Sequence, residues 1–74
     1  MKVKELLNLL SQMPSELDVV VKGYEGGVDD VINVQIVNIK KDARSEWYYA
    51  RHELEEGTKV QAVFIQREER NAYE

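Results

Sequence analysis

The chain has 74 residues, no cysteine, and 10 Lys plus Arg against 14 Asp plus Glu, for a formal net charge of −4. That length fits one domain, residues 1–74, and a marginal one, because chains near this size bury only about 60% of the surface their unfolded form exposes. Disulfides and thiolate metal sites are excluded; the acidic balance disfavours nucleic acid as a partner, since phosphates are held by neutralisation; and no apolar run reaches the roughly 18 residues of a membrane span.

"KVKELLNLLSQM" (2–13) has helical period: Val3, Leu6, Leu7, Leu10 and Met13 share one face, with Leu9 at its edge. Glu5 in the first ten residues, within a continuing amphipathic pattern, argues against a signal peptide, so a cytoplasmic protein is expected. Pro14 stops the helix, because it has no N–H to donate and disfavours helical geometry at Met13. "DVVVKG" (18–23) reads as a short strand and "VINVQIVNIKK" (31–41) as the longest one. In the latter, Ile32, Val34 and Ile36 alternate on one face, and Val37 and Ile39 fall on the other. "DARS" is a turn, and the aromatic-rich "EWYYARHEL" (46–54) is expected to be a third strand, although its second half also suits a helix. "EEGT" turns the chain into a fourth strand, "KVQAVFIQRE" (59–68), and residues 69–74 form a frayed tail. The order α-β-β-β-β predicts an α+β fold, with the N-terminal helix packed on one face of a four-stranded, mainly antiparallel sheet. Leu6, Leu10, Val34 and Phe64 are its expected core.

One helix covers one face of such a sheet. Val60, Ala62 and Phe64 suit the inner face of the last strand, whereas Val63 and Ile65 point away, together with Val37, Ile39 and either Trp47 with Tyr49, or Tyr48. Either loops and the tail, Tyr73 included, cover these residues, or the chain self-associates; an apolar patch of that size usually marks an interface. A homo-oligomer is therefore expected, with a twofold dimer as the default.

"GYEGGVDD" (23–30) concentrates three of the four glycines around Tyr24 and Glu25, with Asp29 and Asp30 behind. As plain scaffold, its glycines supply positive φ in a turn. As a binding loop, Gly26 and Gly27 admit a partner closely while Tyr24 offers a flat ring and a hydroxyl. Capture of an anion would need a cation brought in against Glu25, Asp29 and Asp30, from Lys22, Arg44 or Arg51. As a metal site, the three carboxylates are hard ligands suited to Ca²⁺ or Mg²⁺, but their spacing is not that of an EF-hand. The expected binding residues are Tyr24, Glu25, Gly26, Gly27, Asp29, Asp30 and Arg51, with no catalytic residue, metal or cofactor.

The remaining inventory points away from catalysis. His52 is the single histidine, Ser11, Ser15 and Ser45 stand in no nucleophile motif, and no phosphate or dinucleotide fingerprint is present. "EWYYAR" has the aromatics of a single-strand stacking platform, yet Glu46, Glu53, Glu55 and Glu56 surround it, which favours a core or interface role.

The helix–proline–valine strand that runs into "GYEGG" resembles small uncharacterised proteins encoded in bacteriophages and prophages. The likeness covers about the first 30 residues, and GYEGG is its more specific part. It implies a role in binding: inhibiting or redirecting host machinery, as in host takeover or anti-defence, or sequestering a small anionic ligand such as a cyclic nucleotide. The expected function is thus a non-enzymatic accessory protein that binds a host macromolecule through the GYEGG loop. The alternative is a homo-oligomeric sponge for a small anion, and a structural role in the virion is a further possibility.

Overall fold

The structure, a computed structural model, describes residues 1–70. One N-terminal helix precedes a four-stranded, mostly antiparallel open sheet, so the α+β class is as expected. The elements are α1 (Val3–Leu10), β1 (Val20–Lys22), β2 (Val28–Lys40), β3 (Glu53–Leu54) and β4 (Gln61–Arg67). No helix among the described residues is long and apolar enough to cross a membrane. Residues 71–74 lie outside the described residues, and with them Tyr73 and most of the expected frayed tail.

The residues gather into two compact units, Met1–Asn33 with Gln66–Glu74, and Val34–Ile65. In the first unit, α1 begins where the Lys2 backbone N–H donates to Glu5 Oε1 at 3.0 Å, the return half of a capping box. It ends earlier than its apolar period suggests. Gln12 and Met13 bond back three residues, to the carbonyls of Leu9 and Leu10, so the last turn tightens before Pro14. β1 then pairs antiparallel with the start of β2, placing Val21 opposite Asp29 and Lys22 opposite Val28.

In the second unit the end of β2 pairs antiparallel with β3, Ile39 opposite Leu54. The connection after β3 is pinned to β2: Glu55 N–H donates to the Asn38 carbonyl at 3.1 Å and Thr58 Oγ1 to the Ile39 carbonyl at 2.8 Å. Ile39 N–H donates to the Val60 carbonyl at 2.9 Å just before β4, which also pairs with β2.

Two expectations are corrected. The third strand does not run over 46–54; only Glu53 and Leu54 are extended, and residues 46–49 form a turn closed by Tyr49 N–H to the Glu46 carbonyl at 3.1 Å. Three consecutive aromatics cannot all take one face of a strand, and a turn releases them from that choice. The expected core residues are also not fully buried. Leu6 and Phe64 are half-buried, but Leu10 is 42% exposed and Val34 60%, and among the described residues none is fully buried. On β2 Ile32, Val34 and Ile36 are exposed, while of its apolar residues Val31, Val37 and Ile39 are half-buried. On β4 the alternation follows expectation at first, with Ala62 and Phe64 half-buried and Val63 and Ile65 exposed.

Candidate functional site

The GYEGG segment is the tip of the β1–β2 hairpin. Glu25 and Gly26, at φ 54° and 77°, are the central residues of a turn over residues 24–27, closed by Gly27 N–H to the Tyr24 carbonyl at 2.9 Å. Two successive positive φ values are the mark of a type I′ turn, whose twist matches that of the flanking strands. Gly23 N–H donates to the Gly27 carbonyl, also at 2.9 Å, so Gly23 and Tyr24 together oppose Gly27. Two residues facing one make a β-bulge. Asp29 and Asp30 belong to β2 itself rather than to the loop.

Alternation then decides what each acid does. Asp29 is half-buried on the β2 face that it shares with Val31, and Asp30 is exposed on the other. Arg67, at the end of β4, reaches Asp29: Nη1 donates to Oδ2 at 3.1 Å, and both side chains are about four-fifths buried. Arg67 Nη2 donates to Glu69 Oε1 at 2.9 Å. The guanidinium carbon also lies 4.4 Å from the centre of the Tyr24 ring, a cation–π contact. The guanidinium is held in its charged form, its pKa raised first by side-chain hydrogen bonding to Tyr24 and next by Asp29, against the opposing cost of desolvation. Asp29 explains Gly23 as well, since a Cβ at that position would collide with the Asp29 carboxylate.

The expected site residues are therefore only partly gathered. Tyr24, Glu25, Gly26 and Gly27 share the turn, and Asp29 stands behind it on Arg67. Asp30 faces away from that cluster. Arg51 belongs to the second unit, where its ion-pair partner is Asp42 at 3.9 Å, both side chains 76% exposed. Arg44 is committed there too, with Nη2 2.6 Å from Glu53 Oε1 and its guanidinium over Tyr49. No group of three or more His, Asp or Glu among the described residues is placed to hold a metal ion.

Arg67 is the residue that sequence reasoning missed. Strict alternation from Ala62 and Phe64 assigns it to the outer face with Val63 and Ile65. The alternation breaks instead, with Gln66 and Arg67 both half-buried. Arg67→Ala is expected to lower the melting midpoint clearly more than Arg51→Ala does, because the Arg67–Asp29 pair is largely buried and the Arg51–Asp42 pair is solvated. Parallel thermal melts of the two variants check this, and equal shifts would show that the cluster contributes nothing special.

A second aromatic feature lies in the other unit. Trp47 is 92% exposed on the 46–49 turn; its ring meets Tyr48 edge-on at 5.7 Å, and Tyr48 lies 4.9 Å from Tyr49. The loop that carries them is braced at its base. Asp42 N–H donates to His52 Nδ1 at 2.9 Å, Arg44 N–H to the Arg51 carbonyl at 3.2 Å, and Arg44 Nε to Glu53 Oε1 at 2.9 Å. His52 Nδ1 thus serves as an acceptor for the backbone. Comparison with protein-family models, with curated proteins and with solved structures finds no match to this chain.

Proposed function

We propose that this chain is a non-enzymatic accessory protein of phage type, a self-associating module that binds a host macromolecule through the GYEGG hairpin tip. The observation that carries the reading is Tyr24, 74% exposed yet clamped at one ring face by Arg67. A ring already held in place loses little freedom on binding, which is why rigid tyrosines serve as contact anchors. Glu25 adds to it. A glutamate in the left-handed region is costly, and Asn or Gly would serve the turn better, so strain kept at an exposed tip suits a contact residue. The braced Trp47–Tyr48–Tyr49 turn offers a second aromatic surface of the same kind.

The alternative, a sponge for a small anion, needs an uncommitted cation at the loop. Arg67 is already taken by Asp29 and Glu69, so that reading falls to Lys22, exposed at the end of β1 beside Gly23. The resemblance to phage-encoded proteins directs the search for a partner to a bacterial lysate.

The test is affinity capture from such a lysate by wild type, Tyr24→Ala and Trp47→Ala, with mass spectrometry of both proteins and small molecules. Tyr24→Ala is expected to weaken capture of a host protein at least tenfold, about 1.4 kcal/mol. Its stability should change by little more than the roughly 0.5 kcal/mol typical of surface sites. Capture of a nucleotide instead would favour the sponge. Protein capture indifferent to Tyr24 would remove the hairpin from the contact.

A further inference from the structure

The second unit holds a surface that the hairpin does not share. Successive residues of a strand turn their backbone groups to opposite edges. The Asn38 carbonyl accepts from Glu55 N–H, just after β3, and Ile39 N–H donates to the Val60 carbonyl, just before β4, so β3 and β4 flank β2 on opposite sides. On the β3 side the pairing stops early. β3 meets β2 only at Ile39 and Lys40, while β2 continues as strand back through Ile36 to the start of the unit at Val34. Where the chain turns away after β3, a cleft of about 430 Å³ opens, lined by Val37, Asn38, Leu54, Glu55 and Glu56. Its rim is fixed before anything enters it. Asn38 Nδ2 donates to the Glu56 carbonyl at 3.3 Å, and Thr58 Oγ1 to the Glu55 carbonyl at 3.2 Å.

We propose that this cleft and the β2 edge beside it take an extended, basic segment of a partner protein, added as a strand in line with β3. The chemistry of the cleft selects that occupant. Val37 and Leu54 give an apolar floor, against which the methylene stem of a Lys or Arg packs while its charged head stays at the wet rim. Glu55 and Glu56 supply the charge at the rim. Both are exposed, neither carboxylate has an ion-pair partner among the described residues, and no cation lines the cleft. Glu53, by contrast, is already taken by Arg44. Two adjacent carboxylates without a counter-charge repel each other, and a cationic side chain between them relieves this. A small cation alone would use neither the apolar floor nor the strand edge. An added strand uses all three, since main-chain hydrogen bonds to the edge give affinity and pockets for its side chains give specificity. The net charge of −4 also draws a basic segment in.

The experiment uses the full chain and a labelled, end-blocked hexapeptide of alternating Lys and Val, followed by fluorescence anisotropy. Saturable binding is expected. The double variant Glu55→Gln, Glu56→Gln removes the charge but keeps the backbone bonds of the turn, and it should weaken binding at least tenfold. Glu46→Gln, at an exposed glutamate outside the cleft, should not change it. A peptide with proline in place of a central Val keeps its charge but loses a strand donor, and should bind at least tenfold more weakly. Amide exchange should slow at one or more of residues 34–37 when the Lys–Val peptide is bound. Tyr24→Ala should leave the affinity unchanged, so failure of the hairpin as a contact would not touch this site. Absence of saturable binding up to millimolar peptide would overturn the proposal. So would equal affinity for the double variant or for the proline peptide, equal binding of a Glu–Val peptide, or slowed exchange only at residues outside 34–37.

Discussion

Gly26→Val is expected to lower the unfolding free energy by about 1–3 kcal/mol, the range for a residue forced into a sparsely populated backbone region. Gly26 has φ 77° and nothing within 4 Å of the place where a Cβ would stand. The penalty is therefore one of backbone conformation and not of collision, and it is largest for a β-branched side chain. Gly26→Asn separates the two causes. Asparagine enters the left-handed region readily and is larger than alanine, so it should be nearly neutral. Urea unfolding of both variants at one protein concentration checks this, and an equal loss for valine and asparagine would mean that space is the constraint.

Gly23→Ala should cost about as much, roughly 1–3 kcal/mol, for the opposite reason: here the new methyl overfills an occupied site. Gly23 has no positive φ, but the Asp29 carboxylate lies where the Cβ would be. Asp29 has to rotate away, and in doing so it gives up Nη1 of Arg67. The effects of Gly23→Ala and Arg67→Ala should therefore not add. Once Arg67 is gone, Asp29 is free to move and the alanine becomes cheaper. Denaturant midpoints of the two single variants and the double variant measure that coupling, and strict additivity would show that the carboxylate is not seated on Gly23.

The two glycines show how differently the parts of this molecule are written into the chain. The bend at GYEGG follows from local chemistry, because successive glycines beside a valine strand demand a turn and positive φ. The apolar period of the helix, the proline that bars it beyond Met13, and the β-branched strands are local in the same sense, which is why the α+β order is legible without coordinates. The hairpin register needed one more element, the bulge at Gly23 and Tyr24; with it residues 28–30 become strand and Asp29 turns to the half-buried face.

Only the tertiary structure decided the rest. Arg67 meets Asp29 across 38 residues of chain, after a break in alternation that no periodic reading of β4 contains. Trp47, Tyr48 and Tyr49 have strong strand propensity, but the braces from Asp42 to His52 and from Arg44 to Glu53 close their loop, and a closed loop overrides a weak local preference. The apolar pattern by itself determined which residues want burial: the α1 stripe, the valines and isoleucines of β2, and Val63 with Ile65. It could not determine where they find it. Burial depends on the surface that the fold brings against them, and a pattern along the chain does not carry that.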